Sequence, residues 1–212
     1  VNYLLNNPGK VLTATGQHLV LTTVALALAL AIAVPFGVLL ARYERLYGPI
    51  MGVLSVLYTI PSISLLVLLI PVMGLGFWPT IIALVIYCQA ILVRNVVAGI
   101  RGVDPAVLET ARGMGLSNWQ VLSQVELPLA SPVILAGVRI AAISTIAIAT
   151  VAAFFDAGGL GALIREGISQ DYGDKIIAGV IAVAAIAIAV EQGLRAAVRR
   201  SQRYRGQQGV GG

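Results

Sequence analysis

The sequence predicts an all-α, polytopic membrane protein with five transmembrane helices, and three observations predict it. Hydrophobic residues fill 58% and charged residues only 11% of its 212 positions, against about a quarter charged in ordinary soluble domains. The charges cluster between uncharged runs instead of spreading along helix faces or alternating along strands. The longest of those runs exceed the ~20 apolar residues needed to cross about 30 Å of hydrocarbon.

The first uncharged run lies between Lys10 and Arg42, and its 17–41 portion is read as span one. The first ten residues carry one Lys and lead into a span too long for the apolar core of a cleavable signal peptide, so span one is expected to stay in place. After the charged turn at Arg42, Glu44 and Arg45, residues 46–93 hold no charge and are too long for a single helix. Gly74, Gly76 and Pro79 interrupt the run, and Phe77 and Trp78 suit a membrane interface. Spans two and three are therefore placed at 49–73 and 78–93, with a kink at Pro61 in span two. The polar stretch 94–131 reads as a loop of two short helices. Asp104 is a helix cap with Pro105 at the first helical position, Gly115 is a left-handed stop, and Ser117 with Gln120 forms a capping box. Its second helix is expected to end at Leu127-Pro128. Spans four and five follow at 132–155 and 176–194.

Basic residues orient the bundle. Arg42, Arg45, Arg94, Arg101, Arg112, Arg195, Arg199, Arg200, Arg203 and Arg205 fall on one face, and Lys10, Arg165 and Lys175 on the other. The positive-inside rule places the N-terminus outside and the 94–131 loop and the C-terminus in the cytoplasm. The net charge of +5 is then a matter of topology, and no nucleic-acid partner is expected. Cys88 is the sole cysteine, which excludes a disulfide framework, and the sole histidine, His18, reads as a helix-end polar residue and not a metal ligand.

Within the polar loop stand Glu109-Thr110-Ala111, three residues, Gly115, nine residues, Val125, one residue, and Leu127-Pro128. This resembles the EAA motif of ABC importer permeases, with Thr110 in place of the first Ala and Val125 in place of Ile. Tyr58-Thr59-Ile60-Pro61-Ser62, Gly137-Val138-Arg139 and Ala157-Gly158-Gly159-Leu160-Gly161 extend the resemblance to nearly the whole chain and to the glycine betaine, carnitine and choline osmoprotectant permeases. The resemblance implies a single permease domain of the type I importer fold, in the bacterial inner membrane, with a cytoplasmic coupling helix. It assigns Glu109, Thr110, Ala111, Gly115 and Leu116 to contact with an ATPase dimer, and it implies a second permease, identical or paralogous, and an extracytoplasmic binding protein as further partners. A short rigid element with small residues, projecting from the bilayer, suits that role physically. Ala111 and Gly113 are expected to leave a surface that another protein approaches closely.

No Gly-Lys-Ser/Thr phosphate loop occurs, so ATP and Mg are expected on the partner ATPase, and no catalytic, metal or cofactor site is assigned to this chain. Tyr58, Ser62, Tyr87 and Ser144 are candidates for a translocation path, the tyrosines for cation–π contact with a quaternary ammonium. Arg139, a charge inside span four, is read either as a gating or packing residue, together with Pro61, or as snorkelling to the headgroups. Rival readings are a permease for methionine, phosphonate or another small solute, and a channel or proton-driven carrier. A carrier calls for paired membrane carboxylates, and Glu191 is the one acid near the hydrocarbon.

Overall fold

The computed structural model describes residues 2–208, with side chains described as far as Arg199, so Arg200, Arg203 and Arg205 lie outside the described side chains. Its helices are α1 (Asn2–Asn6), α2 (Pro8–Arg42), α3 (Glu44–Thr59), α4 (Ser62–Met73), α5 (Phe77–Arg101), α6 (Pro105–Gly113), α7 (Asn118–Gln120), α8 (Leu127–Ala152), α9 (Leu160–Ser169) and α10 (Gly173–Gln208). Among the described residues, four helical stretches are long and apolar enough to cross a membrane, and five if α3 and α4 form one broken span.

The centre of the bundle is α5, which packs against α2, α3, α4 and α8. On α2, Leu21, Ala25, Ala29, Ala33, Gly37 and Leu40 are buried along one face. Their spacing of three and four residues brings them onto one helical stripe, and the small side chains let α5 approach closely. The two helices run parallel, because the Arg101 guanidinium at the end of α5 donates to the Leu40 carbonyl at the end of α2, over 3.1 Å. Helix α8 returns in the opposite direction, and Gly137 is where it meets α5. A Cβ at Gly137 would stand 2.5 Å from the Cβ of Asn95, so only glycine permits this crossing.

Span two differs from the expected kinked helix. Helices α3 and α4 are separate and bent by 94°. Pro61 disfavours helical geometry in the residue before it, and Ile60 is indeed extended, with ψ 127°. The Tyr87 hydroxyl of α5 donates to the Ile60 carbonyl freed at the break. The expected end at Leu127-Pro128 also differs. From α7 the chain continues through a π-helical segment, Val121–Glu126, directly into α8. In that segment the Leu127 amide bonds to the Leu122 carbonyl, five residues back. The wider π turns accommodate the Pro128 ring without ending the helix. Pro132 then leaves the Pro128 carbonyl without its usual amide, and the Ser131 hydroxyl donates to it at 2.8 Å. With α5 running on to Arg101, the polar 94–131 stretch is partly an extension of the two spans that flank it.

At the opposite end of the bundle, α9 packs on α10 and α2. The Gly159 amide donates to Gln17 Oε1 at 3.2 Å. His18 is fully buried beneath this turn and is not at a helix end, because α2 begins at Pro8, well before it.

Candidate functional site

The loop that carries the EAA-like spacing is built by local capping. Asp104 Oδ1 accepts the Ala106 amide at 2.9 Å and Pro105 opens α6, which satisfies the start of a helix only nine residues long. Gly115, at φ +84°, turns the chain where a side chain would be strained. Ser117 then starts α7 with a reciprocal cap: its amide donates to Gln120 Oε1 at 2.8 Å, and its hydroxyl accepts the Gln120 amide at 3.4 Å. The result is a rigid elbow projecting from the bundle.

Of the motif residues, Glu109, Thr110 and Gly115 are exposed and Leu116 is half-buried. Ala111 is a correction. It is only 2% exposed, so it offers no surface to another protein. Its small side chain faces inward, where α6 packs on the π segment. The open surface is instead completed by Gly113, which has nothing within 4 Å of its Cβ position, and by Met114 and Trp119, 70% and 72% exposed. Sequence reasoning passed over both, although two large apolar side chains on a polar, projecting elbow are a signal for a protein contact.

The elbow is tied back to the bundle at its base. Leu122 and Leu127 pack with Val34, Val38 and Ala41 of α2 and with Val96 and Ile100 of α5. Here Glu126 is fully buried and receives a hydrogen-bonded ion pair from Arg42, at the end of α2. Sequence reasoning also missed this pair, whose members are 84 residues apart.

Of the path candidates, the structure brings three together. The rings of Tyr58 and Tyr87 meet edge to face at 6.0 Å beside the break, with Ser62 opening α4 just after Pro61. Ser144 sits half-buried on α8 and is joined to none of them by a hydrogen bond. Tyr87→Phe is expected to leave the Ile60 carbonyl without its donor, at a cost of about 1–3 kcal/mol. Faster hydrogen exchange confined to residues 57–65 is the measurement that checks it. Arg139 reaches Glu191 of α10 at 3.5 Å, each side chain about a third exposed (33% and 30%). Two charges the sequence left apart thus form one ion pair between α8 and α10, at a depth where an isolated charge is costly.

An apolar helical bundle with a capped elbow at one end and a broken helix at its flank matches known proteins in both sequence and shape. The family of binding-protein-dependent transport system inner membrane components matches residues 33–202. The chain belongs to this family. It is therefore the membrane component of a transporter that works with a binding protein, and it is not itself the catalytic subunit. The carnitine transport permease protein OpuCB of Listeria monocytogenes is 42% identical over 90% of this chain and 88% of its own length. The glycine betaine/carnitine/choline transport system permease protein OpuCB of Bacillus subtilis is 37% identical over 99% of this chain and 96% of its own. Among solved structures, an inward-facing form of the MetNI methionine ABC transporter superposes with a TM-score of 0.79, covering 91% of this chain and 96% of that one, at 22% identity. That likeness establishes the type I importer fold for this family member and carries nothing about its cargo.

Proposed function

We propose that this chain is the permease subunit of an ATP-driven importer of small osmoprotectants such as glycine betaine, carnitine or choline. One observation carries the reading: relatives named for these solutes align over about nine-tenths of the chain or more at 37–42% identity, whereas the methionine transporter shares 22%. The basic residues at the elbow end support an orientation with that end, and the C-terminus, in the cytoplasm and the N-terminus outside. The exposed row Glu109, Thr110, Gly113 and Met114, with Gly115 at the turn, then faces an ATPase subunit that binds ATP and Mg. A second permease, identical or paralogous, completes the pore, and a binding protein delivers cargo to the opposite face. Closure of the ATPase pair pushes the elbows together, and the spans change from inward-open to outward-open.

Tyr58, 44% exposed beside the broken span, suits this cargo, because an aromatic face attracts a quaternary ammonium without needing a hydrogen bond from it. Tyr87 is only 5% exposed and supports Tyr58 from behind. The test is uptake into proteoliposomes holding the ATPase, the binding protein and both permeases, with labelled glycine betaine, carnitine, choline and methionine. ATP-dependent uptake of a quaternary amine is expected. Uptake of methionine alone overturns the cargo, and uptake indifferent to ATP overturns the importer.

A further inference from the structure

We propose that Arg42 and Glu126 are the joint through which the elbow moves the first span, and that this ion pair sets how much cargo is moved for each ATP hydrolysed. The inference rests on the coupling role proposed above and names the residues that carry it into the bundle.

Glu126 is a carboxylate with no exposure, and its sequence neighbour Leu127 packs against the apolar cluster of Val96, Ile100 and Ala130. Only one of its oxygens, Oε2, meets Arg42, and Oε1 has no hydrogen-bond partner. A carboxylate buried and half satisfied in this way is a poor device for stability alone, since an apolar residue of similar volume would pack there without the desolvation cost. Its position explains it better. Glu126 ends the π segment Val121–Glu126, which is continuous with α7 on the elbow side and with α8 on the span side. π turns inside α-helices are frequent at functional sites. This one faces the elbow through its contact with α6.

On the other side of the pair, Arg42 is the last residue of α2, and only Tyr43 separates it from α3. The same last turn of α2 is gripped from α5 by Arg101, which donates to the carbonyls of Leu40 and Ala41 at 3.1 and 3.4 Å and lies 4.9 Å over the Tyr47 ring of α3. The end of α2 is thus held by two arginine links. The Arg101 link stays within the spans, and the Arg42 link is the one that reaches the elbow's base. A displacement of α6 and the π segment pulls on Arg42, turns the end of α2, and reaches α3 and the break at Ile60-Pro61 through the Tyr43 turn. Glu126 holds its end of the link inside the protein while the Arg42 side chain is 41% exposed, so the link joins a buried anchor on the elbow side to the outer edge of α2.

The experiment uses the assembled transporter in proteoliposomes and measures cargo uptake and binding-protein-stimulated ATP hydrolysis in the same preparation. The variants are Arg42→Gln, Glu126→Gln, the double variant, the conservative Arg42→Lys, and Glu109→Lys as a reference on the elbow surface. The expected result is a fall in cargo moved per ATP of about tenfold for each single glutamine variant, with hydrolysis retained, no further fall in the double variant, and partial recovery in Arg42→Lys. Uptake and hydrolysis falling together, in step with the amount of assembled complex, overturns the proposal by reducing the pair to a structural brace. An unchanged ratio in both single variants overturns it as well. If Glu109→Lys uncouples while the Arg42 and Glu126 variants do not, the joint fails and the coupling elbow stands. If wild type shows no ATP-dependent uptake, the parent reading fails and the joint falls with it.

Discussion

Glu109→Lys is expected to abolish ATP-dependent uptake while leaving the protein folded and in the membrane. Glu109 is exposed in the middle of α6, and no part of that helix's capping depends on it, since Asp104 caps the start and the Gly115 turn follows the end. Lys and Glu have similar helix propensities, so the elbow itself survives the change. What changes is the surface that the proposed coupling role turns toward the ATPase. The proposed contact pairs Glu109 with a basic group of the ATPase. Lys there brings like charges together at a cost of several kcal/mol, which at about 1.4 kcal/mol per factor of ten lowers engagement by two or more orders of magnitude. Uptake in proteoliposomes, normalised to permease content by immunoblot, measures it. Loss of uptake with unchanged content is the expected outcome.

Gly137→Leu acts through the fold and is expected to be the most damaging of the packing changes. The Cβ position of Gly137 lies 2.5 Å from Asn95 Cβ and 2.6 Å from its Cγ, closer than real atoms approach. Asn95 cannot simply swing aside, because its side-chain amide is held by the Ile91 carbonyl at 2.8 Å. The helices α5 and α8 must therefore separate along one of the largest contacts in the bundle. Overpacking a filled core costs about 1–3 kcal/mol and occasionally more, and a whole leucine at a backbone crossing belongs at the upper end. Size-exclusion chromatography of detergent-solubilised protein after graded heating is expected to show loss of the native peak at a clearly lower temperature. Val133→Leu, on the more exposed side of the same helix, is the control and should leave the profile unchanged.

What the sequence revealed and what it concealed divide by range. The uncharged runs locate the membrane-spanning portions because charge in hydrocarbon is costly wherever it falls, an argument that needs no tertiary contact. They do not mark the helix ends: α2, α5 and α10 run on into charged residues. The caps at Asp104, Gly115 and Ser117–Gln120 were equally legible, since each is made between residues at most three apart. The break at Ile60-Pro61 was half legible. Proline signals a kink, but a bend of 94° draws on Tyr87, 27 residues away, to satisfy the freed carbonyl. The π segment concealed itself because Leu127-Pro128 has a stronger local meaning as a helix end, and only the continuity of α7 with α8 overrides it. Ala111 was misread for a similar reason: a small residue is equally suited to an open surface and to a tight packing face, and the sequence does not say which way it points. The pairs Arg42–Glu126 and Arg139–Glu191 join residues 84 and 52 positions apart, so no spacing rule could have matched them.

The most direct test of the central claim, that the 105–116 elbow is where the ATPase engages this permease from the cytoplasm, is photocrosslinking from two positions. Benzoylphenylalanine is placed at Met114, 70% exposed on the elbow, or at Lys10, exposed at the opposite end of α2, in the assembled transporter with its binding protein. The expected result is an adduct with the ATPase from position 114 and none from position 10. An ATPase adduct from position 10, or a binding-protein adduct from position 114, would contradict both the orientation and the coupling site.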